Sequence, residues 1–235
     1  MKKLQYSACF CLAAVFVSCA ASPRVRENRP PEMPPQIASA GIPEGNLDPA
    51  NLRFDGSRQQ VPERPQRPEV PELIMGKGLI MPEDMAAFLL SFNPETEKDF
   101  VDDLALFYSE EAAIEGVNHD AAFAQMCLET GFLRFGGLVT LDMNNFCGLG
   151  SIGPGQNGEI FPDPRTGVRA HIQHLKAYAT DAPLEQELVD PRYRYVRYGS
   201  SPYIKGLSGT WAADPSYAEK INSILERLYN FSFES

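Results

Sequence analysis

Basic residues are scarce in this 235-residue chain: 21 Lys and Arg stand against 31 Asp and Glu, a net charge of −10. Neutralising nucleic acid phosphates takes the opposite balance, so no nucleic acid partner is expected. A long apolar run is also lacking; the one near the start is too short to span a bilayer with ordinary flanks. Sustained period-two alternation and internal repeats are missing, and helical patterns dominate. There is no Ser-His-Asp order, no Gly-rich phosphate loop and no Cys-His nucleophile pair. Histidine is rare as well. His171 and His174 lie three apart on one helix, but no further ligand follows at metal-site spacing. A solvated helix face is expected there, and no metal or other cofactor. His119 falls in a helix-cap region.

The first residues have their own logic. MKKLQYSACFCLAAVFVSC carries two lysines, a short apolar core and small residues before Cys19. This is the pattern of an export signal over residues 1–18. Phe16-Val17-Ser18-Cys19 resembles a bacterial lipobox, which implies lipidation at Cys19 and a membrane anchor. Each buried CH₂ of an acyl chain contributes about 0.8 kcal/mol to such anchoring. Ala20 and Ala21 follow the cysteine, with no retaining aspartate, so the expected destination is the outer membrane if the cell has one. Residues 19–72 then read as a disordered tether. Eleven of the chain's 20 prolines fall in this stretch, and prolines deny helix and central strand their donors. Its expected job is reach.

The folded domain is expected over 73–235, mainly α, with about six helices. Pro82 to Leu90 forms a short helix. Asn93-Pro94 reads as a cap and first-turn proline for a second helix, with Phe100, Leu104, Phe107 or Tyr108, and Ala112 on one face. Asn118 caps a third, which carries Phe123, Met126, Cys127 and Glu129 and stops at Gly131. A Gly-rich, irregular or slightly β stretch follows to Gly158. Asp163-Pro164 and Asp214-Pro215 open the last two helices. Cys127 and Cys147 remain once the leader is set aside. Twenty residues apart in an oxidising compartment, they could bridge, stabilising the fold by about 3 kcal/mol. The alternative is two buried thiols.

Glu129 sits among Met126, Cys127, Leu128 and Phe132. Desolvation there would raise its carboxyl pKa, as a general acid requires. The competing reading is a solvated charge at a helix end.

The run EGVNHDAAFAQMCLETGFLRFGG from Glu115 and NNFCGLG from Asn144 closely resemble the glucosaminidase family of peptidoglycan hydrolases, which have a lysozyme-like α fold. FPDPRTGVRAHIQHLKAYA, DPRYRYVRYGSSPY and GTWAADPSYAEKI follow in the family's order, so the likeness covers about residues 73–230. It implies that Glu129, in the family's L-E-T-G position, is the catalytic acid. It implies cleft positions for Tyr217 and for Asn145 and Phe146, with Asn145 orienting the acid or holding an acetamido group. The bland readings are turn-making for the asparagines and core packing for Phe146. The family's tryptophan after L-E-T-G is Phe132 here, which would serve the sugar differently. For a second carboxylate the chain offers Glu159 and Asp163, with Asp142 just before; Asp163 is also a natural helix cap. If neither serves, the substrate's own 2-acetamido oxygen could attack in its place. Arg192, Arg194 and Arg197, interleaved with Tyr193, Tyr195 and Tyr198, either hold anionic stem-peptide carboxylates or form an extended segment with one packed face.

The resemblance therefore implies a monomeric glycoside hydrolase acting on peptidoglycan glycan strands at the β-1,4 bond after N-acetylglucosamine. The alternatives are a lytic transglycosylase using the same glutamate, or an inactive glycan-binding module.

Overall fold

Residues 119–127, HDAAFAQMC, are buried without a break. A helix buried on all sides belongs at the centre of a domain, and Ala121, Ala122 and Ala124 let neighbouring helices approach it. In the computed structural model, which describes residues 67–153 and 156–234, that helix has the others arranged around it. The elements are α1 (Pro82–Phe92), α2 (Lys98–Glu115), α3 (His119–Thr130), α4 (Pro164–Ala179) and α5 (Tyr217–Phe233). The central α3 touches α2, α4 and α5, and α2 also packs on α1 and α4. A small antiparallel hairpin, β1 (Ser151–Gly153) and β2 (Gln156–Asn157), lies between α3 and α4 in sequence. The mainly α, lysozyme-like expectation holds, with a small β element in the Gly-rich stretch. The export signal, Cys19 and most of the tether lie outside the described residues. No described helix is long and apolar enough to cross a membrane.

Local signals set the ends of α3. Asn118 Oδ1 accepts the amides of Asp120 and Ala121, and Gly131 closes the helix in the left-handed region at φ 58°. Asp120 does more than complement the helix dipole. Wholly buried, it accepts the amides of Leu79 and Ile80 and the Tyr229 hydroxyl, clipping the approach to α1 and the end of α5 onto α3.

The α2–α4 contact is partly ionic. Glu111 accepts from Arg165, Arg169 and Gln186. Burial works against its charge, yet these hydrogen bonds hold its carboxyl below the usual range. Glu115 accepts Lys176 Nζ at 2.8 Å and the amides of Glu185 and Gln186. The loop after α4 is thereby tied to α2.

Several expectations change. Asn93 ends α1 instead of starting α2. Its side-chain amide donates to the Phe132 carbonyl at 2.8 Å, and α2 begins only at Lys98. Five α-helices are present among the described residues, and α5 starts at Tyr217, after Asp214 has accepted the Ser216 amide. The Arg/Tyr segment is a loop with one 3-10 turn at Tyr193–Tyr195. His171 and His174 are buried, because α4 turns that face inward. Cys127 and Cys147 are free, buried thiols in two separate apolar clusters, and burial pushes both thiol pKa values up. Each sulfur fills packing space where it stands.

Glu115 generates a prediction. Replacing it with Ala leaves a buried ammonium and two amides unpaired. Urea unfolding should show a loss of about 3–5 kcal/mol, the usual effect of breaking a buried pair. Glu115→Gln should lose less, since its one carbonyl oxygen can still accept one of the two amides.

Candidate functional site

At the exposed C-terminal end of α3, Glu129 meets two other parts of the chain. Tyr217, the first residue of α5, donates its hydroxyl to Glu129 Oε1. Trp211 Nε1 donates to the same oxygen at 3.2 Å. Oε2 accepts no hydrogen bond among the described residues, and a β-carbon on Gly148 would sit 3.8 Å from it. The residue is open to solvent on its cleft side, while Oε1 is hemmed in. This crowding raises the carboxyl pKa, and the bonds from Tyr217 and Trp211 oppose the rise without cancelling it. Tyr217 is 5% exposed, and burial beside Glu129 pushes its phenol far up, so it stays a donor.

Trp211 is held by aromatic neighbours on α4: His171, His174 and Tyr178 lie with ring centroids 5.7, 5.1 and 5.5 Å away. His174 is fixed in turn by Asp190 Oδ2 at 2.6 Å. Reading the sequence missed Trp211. The available signal was that it is the chain's sole tryptophan, six residues before Tyr217.

Two pockets of about 230 Å³ share Gly148 and Ser151. One is lined by Glu129, Thr130, Phe135, Val139 and Asn145. The other is lined by Trp211, His174, Tyr178, Arg192 and Tyr195. Glu129 is the only carboxylate among the described residues lining either. A larger pocket, about 380 Å³, lies between α1 and α2 and includes none of these groups.

The turn leading away from Glu129 is strained. Phe132, Leu133 and Phe135 have φ of 57°, 60° and 53°, and Asn144, next to the pocket residue Asn145, has 52°. Such conformations cost roughly 1–3 kcal/mol each in side chains of this kind. The turn is held by Phe132 N–H to Cys127 O at 2.8 Å, Leu133 N–H to Thr130 Oγ1 at 2.9 Å and Phe135 N–H to Thr130 O at 2.7 Å.

The remaining expected site residues fall elsewhere. Asn145 makes turns: its amide donates to the Leu149 and Glu159 carbonyls and its oxygen accepts the Leu149 amide. It lines the pocket without bonding Glu129. Phe146 is fully buried, with Phe100 as a ring neighbour, so it is core. Phe132 stacks on Phe92 at 4.5 Å, beneath Arg227, and lines neither pocket. The Asn93 bond to its carbonyl and the left-handed turn rotate it away; Phe135 lies at the pocket instead. Asp163 caps α4 through Thr166, which holds its carboxyl below the usual range. Glu159 folds over Gly150, 3.9 Å from Arg192. Asp142 is exposed in a 3-10 turn. Arg192 and Arg194 lie over the Tyr195 ring at 5.1 and 4.9 Å, and the Arg192 end faces the second pocket. Tyr193 pairs with Tyr198. No group of three or more His, Cys, Asp or Glu positioned for a metal occurs among the described residues.

Comparison with known proteins adds two findings. Residues 105–230 match the glucosaminidase family model, described as mannosyl-glycoprotein endo-beta-N-acetylglucosaminidase. An uncharacterised protein of Borreliella burgdorferi is 41% identical over 159 residues, covering 68% of this chain and 78% of that one. No solved structure matches significantly.

The crowding of Glu129 has a consequence for stability. A carboxyl whose folded pKa is raised favours the fold while protonated, and that contribution is lost as pH rises through the folded value. Glu129→Gln should therefore melt at a higher temperature than the unsubstituted chain at pH 7. The difference should fade below about pH 4, where the carboxyl is neutral folded and unfolded. Thermal melts across that range check both parts.

Proposed function

Because the chain belongs to the glucosaminidase family of glycoside hydrolases, we propose that it cuts peptidoglycan glycan strands at the β-1,4 bond after N-acetylglucosamine, with Glu129 as general acid. The observation that carries this reading is the Glu129 carboxyl itself. Desolvation raises its pKa above the ordinary carboxyl value, and it is anchored through Oε1 and open at Oε2. Oε2 gives its proton to the leaving glycosidic oxygen as the C1–O bond breaks. Tyr217 and Trp211 then stabilise the carboxylate left behind.

A second carboxylate has less support. Asp163 is engaged as a helix cap and Glu159 lies toward Arg192. The substrate's 2-acetamido oxygen therefore attacks the anomeric carbon from the opposite face. Water next opens that intermediate, returning a proton to Glu129 and retaining the anomeric configuration. The pocket with Arg192, Tyr195 and Trp211 suits a sugar bearing anionic stem-peptide carboxylates. The lone acid also favours a second reading, a lytic transglycosylase, in which an internal hydroxyl of the substrate attacks and leaves 1,6-anhydro ends. We further infer export and lipidation at Cys19, with the proline-rich stretch as tether and the protein facing the wall as a monomer.

Digestion of purified peptidoglycan with the full chain, followed by reduction and mass spectrometry, tests the chemistry. Reduced N-acetylglucosamine ends are expected, with a loss of about 10²–10⁴-fold in Glu129→Gln. Tyr217→Phe should lose about tenfold, as for one hydrogen bond to a charged group. Anhydro-muramic ends would move the protein to the transglycosylases. No new ends with glycan binding intact would leave a binding module. For the anchor, Cys19→Ser should lose labelled fatty acid and leave the membrane fraction; unchanged labelling would remove the lipoprotein reading.

A further inference from the structure

Behind Tyr217 the hydrogen bonds continue into the core. Gln125 Nε2 donates to the Tyr217 hydroxyl at 2.8 Å. Gln125 Oε1 lies 3.1 Å from His171 Nε2, and His171 Nδ1 lies 2.9 Å from the Tyr108 hydroxyl. Tyr108, His171, Gln125 and Tyr217 come one each from α2, α4, α3 and α5. The first three are at most 1% exposed. A buried polar chain of this kind is tolerated when every member is satisfied, and each link here has its partner.

The chain has one direction. Trp211 Nε1 can only donate, so Oε1 of Glu129 must accept. Tyr217 has one proton and gives it to the same oxygen, so it must accept from Gln125. The Gln125 amide is thereby oriented with Oε1 toward His171, which must carry its proton on Nε2. Burial pushes the His171 pKa down to about 3, so the ring is neutral and Nδ1 is left to accept from Tyr108. Every proton along the row points toward Glu129.

We propose that Gln125 and His171 are positioning residues for Glu129: through Tyr217 they fix Oε1 as the accepting oxygen and leave Oε2 to carry the acid proton into the cleft. This rests on the reading of Glu129 as general acid and adds how the choice between its two oxygens is made. Without Gln125, the Tyr217 hydroxyl is free to turn its proton away. The ionised carboxylate then loses support and holds its proton to higher pH. The other titratable groups that act electrostatically on this set are the buried Cys147 and Cys127 thiols, with His174 and Asp190 behind Trp211.

The test uses the full chain, with Gln125→Leu and Gln125→Met beside the unsubstituted protein. In the pH dependence of kcat/KM, the alkaline limb belongs to the acid. It should move upward by about half a unit in both variants, a modest share of one charged hydrogen bond. Carboxyl ¹³C NMR, with the Glu129 signal identified by its absence in Glu129→Gln, should show the same displacement without substrate. Nitrogen-15 NMR of the unsubstituted protein should find His171 neutral from pH 5 to 8 with its proton on Nε2. An unmoved Glu129 titration in a folded variant would overturn the proposal, and so would a His171 proton on Nδ1. If neither variant folds, the His171 tautomer alone decides. Full activity of Glu129→Gln would instead remove the general-acid reading, and the two NMR measurements would still judge the hydrogen-bond chain.

Discussion

The hydrogen bond from Tyr217 to Glu129 joins residues 88 positions apart, and the site is built to make it possible. A proton-donating carboxyl, as proposed for Glu129, has to be desolvated, yet a desolvated carboxyl without partners is too costly to keep. The fold meets both demands with asymmetry. One oxygen is held by Tyr217 and Trp211 while the other faces open space beside Gly148. The buried centre of α3 brings Glu129 to this position, and Gly131 stops the helix just beyond it.

The remaining structure keeps those partners in register. Trp211 lies against the His171, His174 and Tyr178 rings, so α4 sets its indole. The position of α4 is set by the Glu111 and Glu115 ion pairs to α2 and by close backbone approach. A β-carbon at Gly167 would lie 1.8 Å from the Asn144 carbonyl oxygen, so only glycine lets α4 and the Asn144 segment meet. Asn144 and three residues of the turn after α3, Phe132, Leu133 and Phe135, hold left-handed conformations. Strain and a crowded carboxyl weaken the fold locally, and the ionic and apolar contacts around them offset that weakness.

Much of the scaffold was legible before any coordinates. Asn118 and Asp163 read as caps and serve as caps, because a side-chain oxygen beside free amides is a local matter. Asn93 misled because the same residue type also ends helices, and its amide partner, the Phe132 carbonyl, lies 39 residues away. The histidines of α4 misled because spacing marks a shared face but not which way it turns. Phe132 and Phe146 carried the right chemistry for sugar contact, but packing turned both elsewhere.

The sequence by itself determined the caps of α3 and α4, that the domain would be mainly α, and that Glu129 stands at an apolar helix end in a family pattern. These follow from caps, breakers and periodicity within a few residues. Only the tertiary structure decided that Trp211 shares the Glu129 oxygen with Tyr217, that Asn145 is taken up by turns, and that a directed row of hydrogen bonds runs from Tyr108 to the carboxyl. Those partners are 82 and 88 residues from Glu129 in the chain, and nothing local encodes which long-range contacts close when four helices pack.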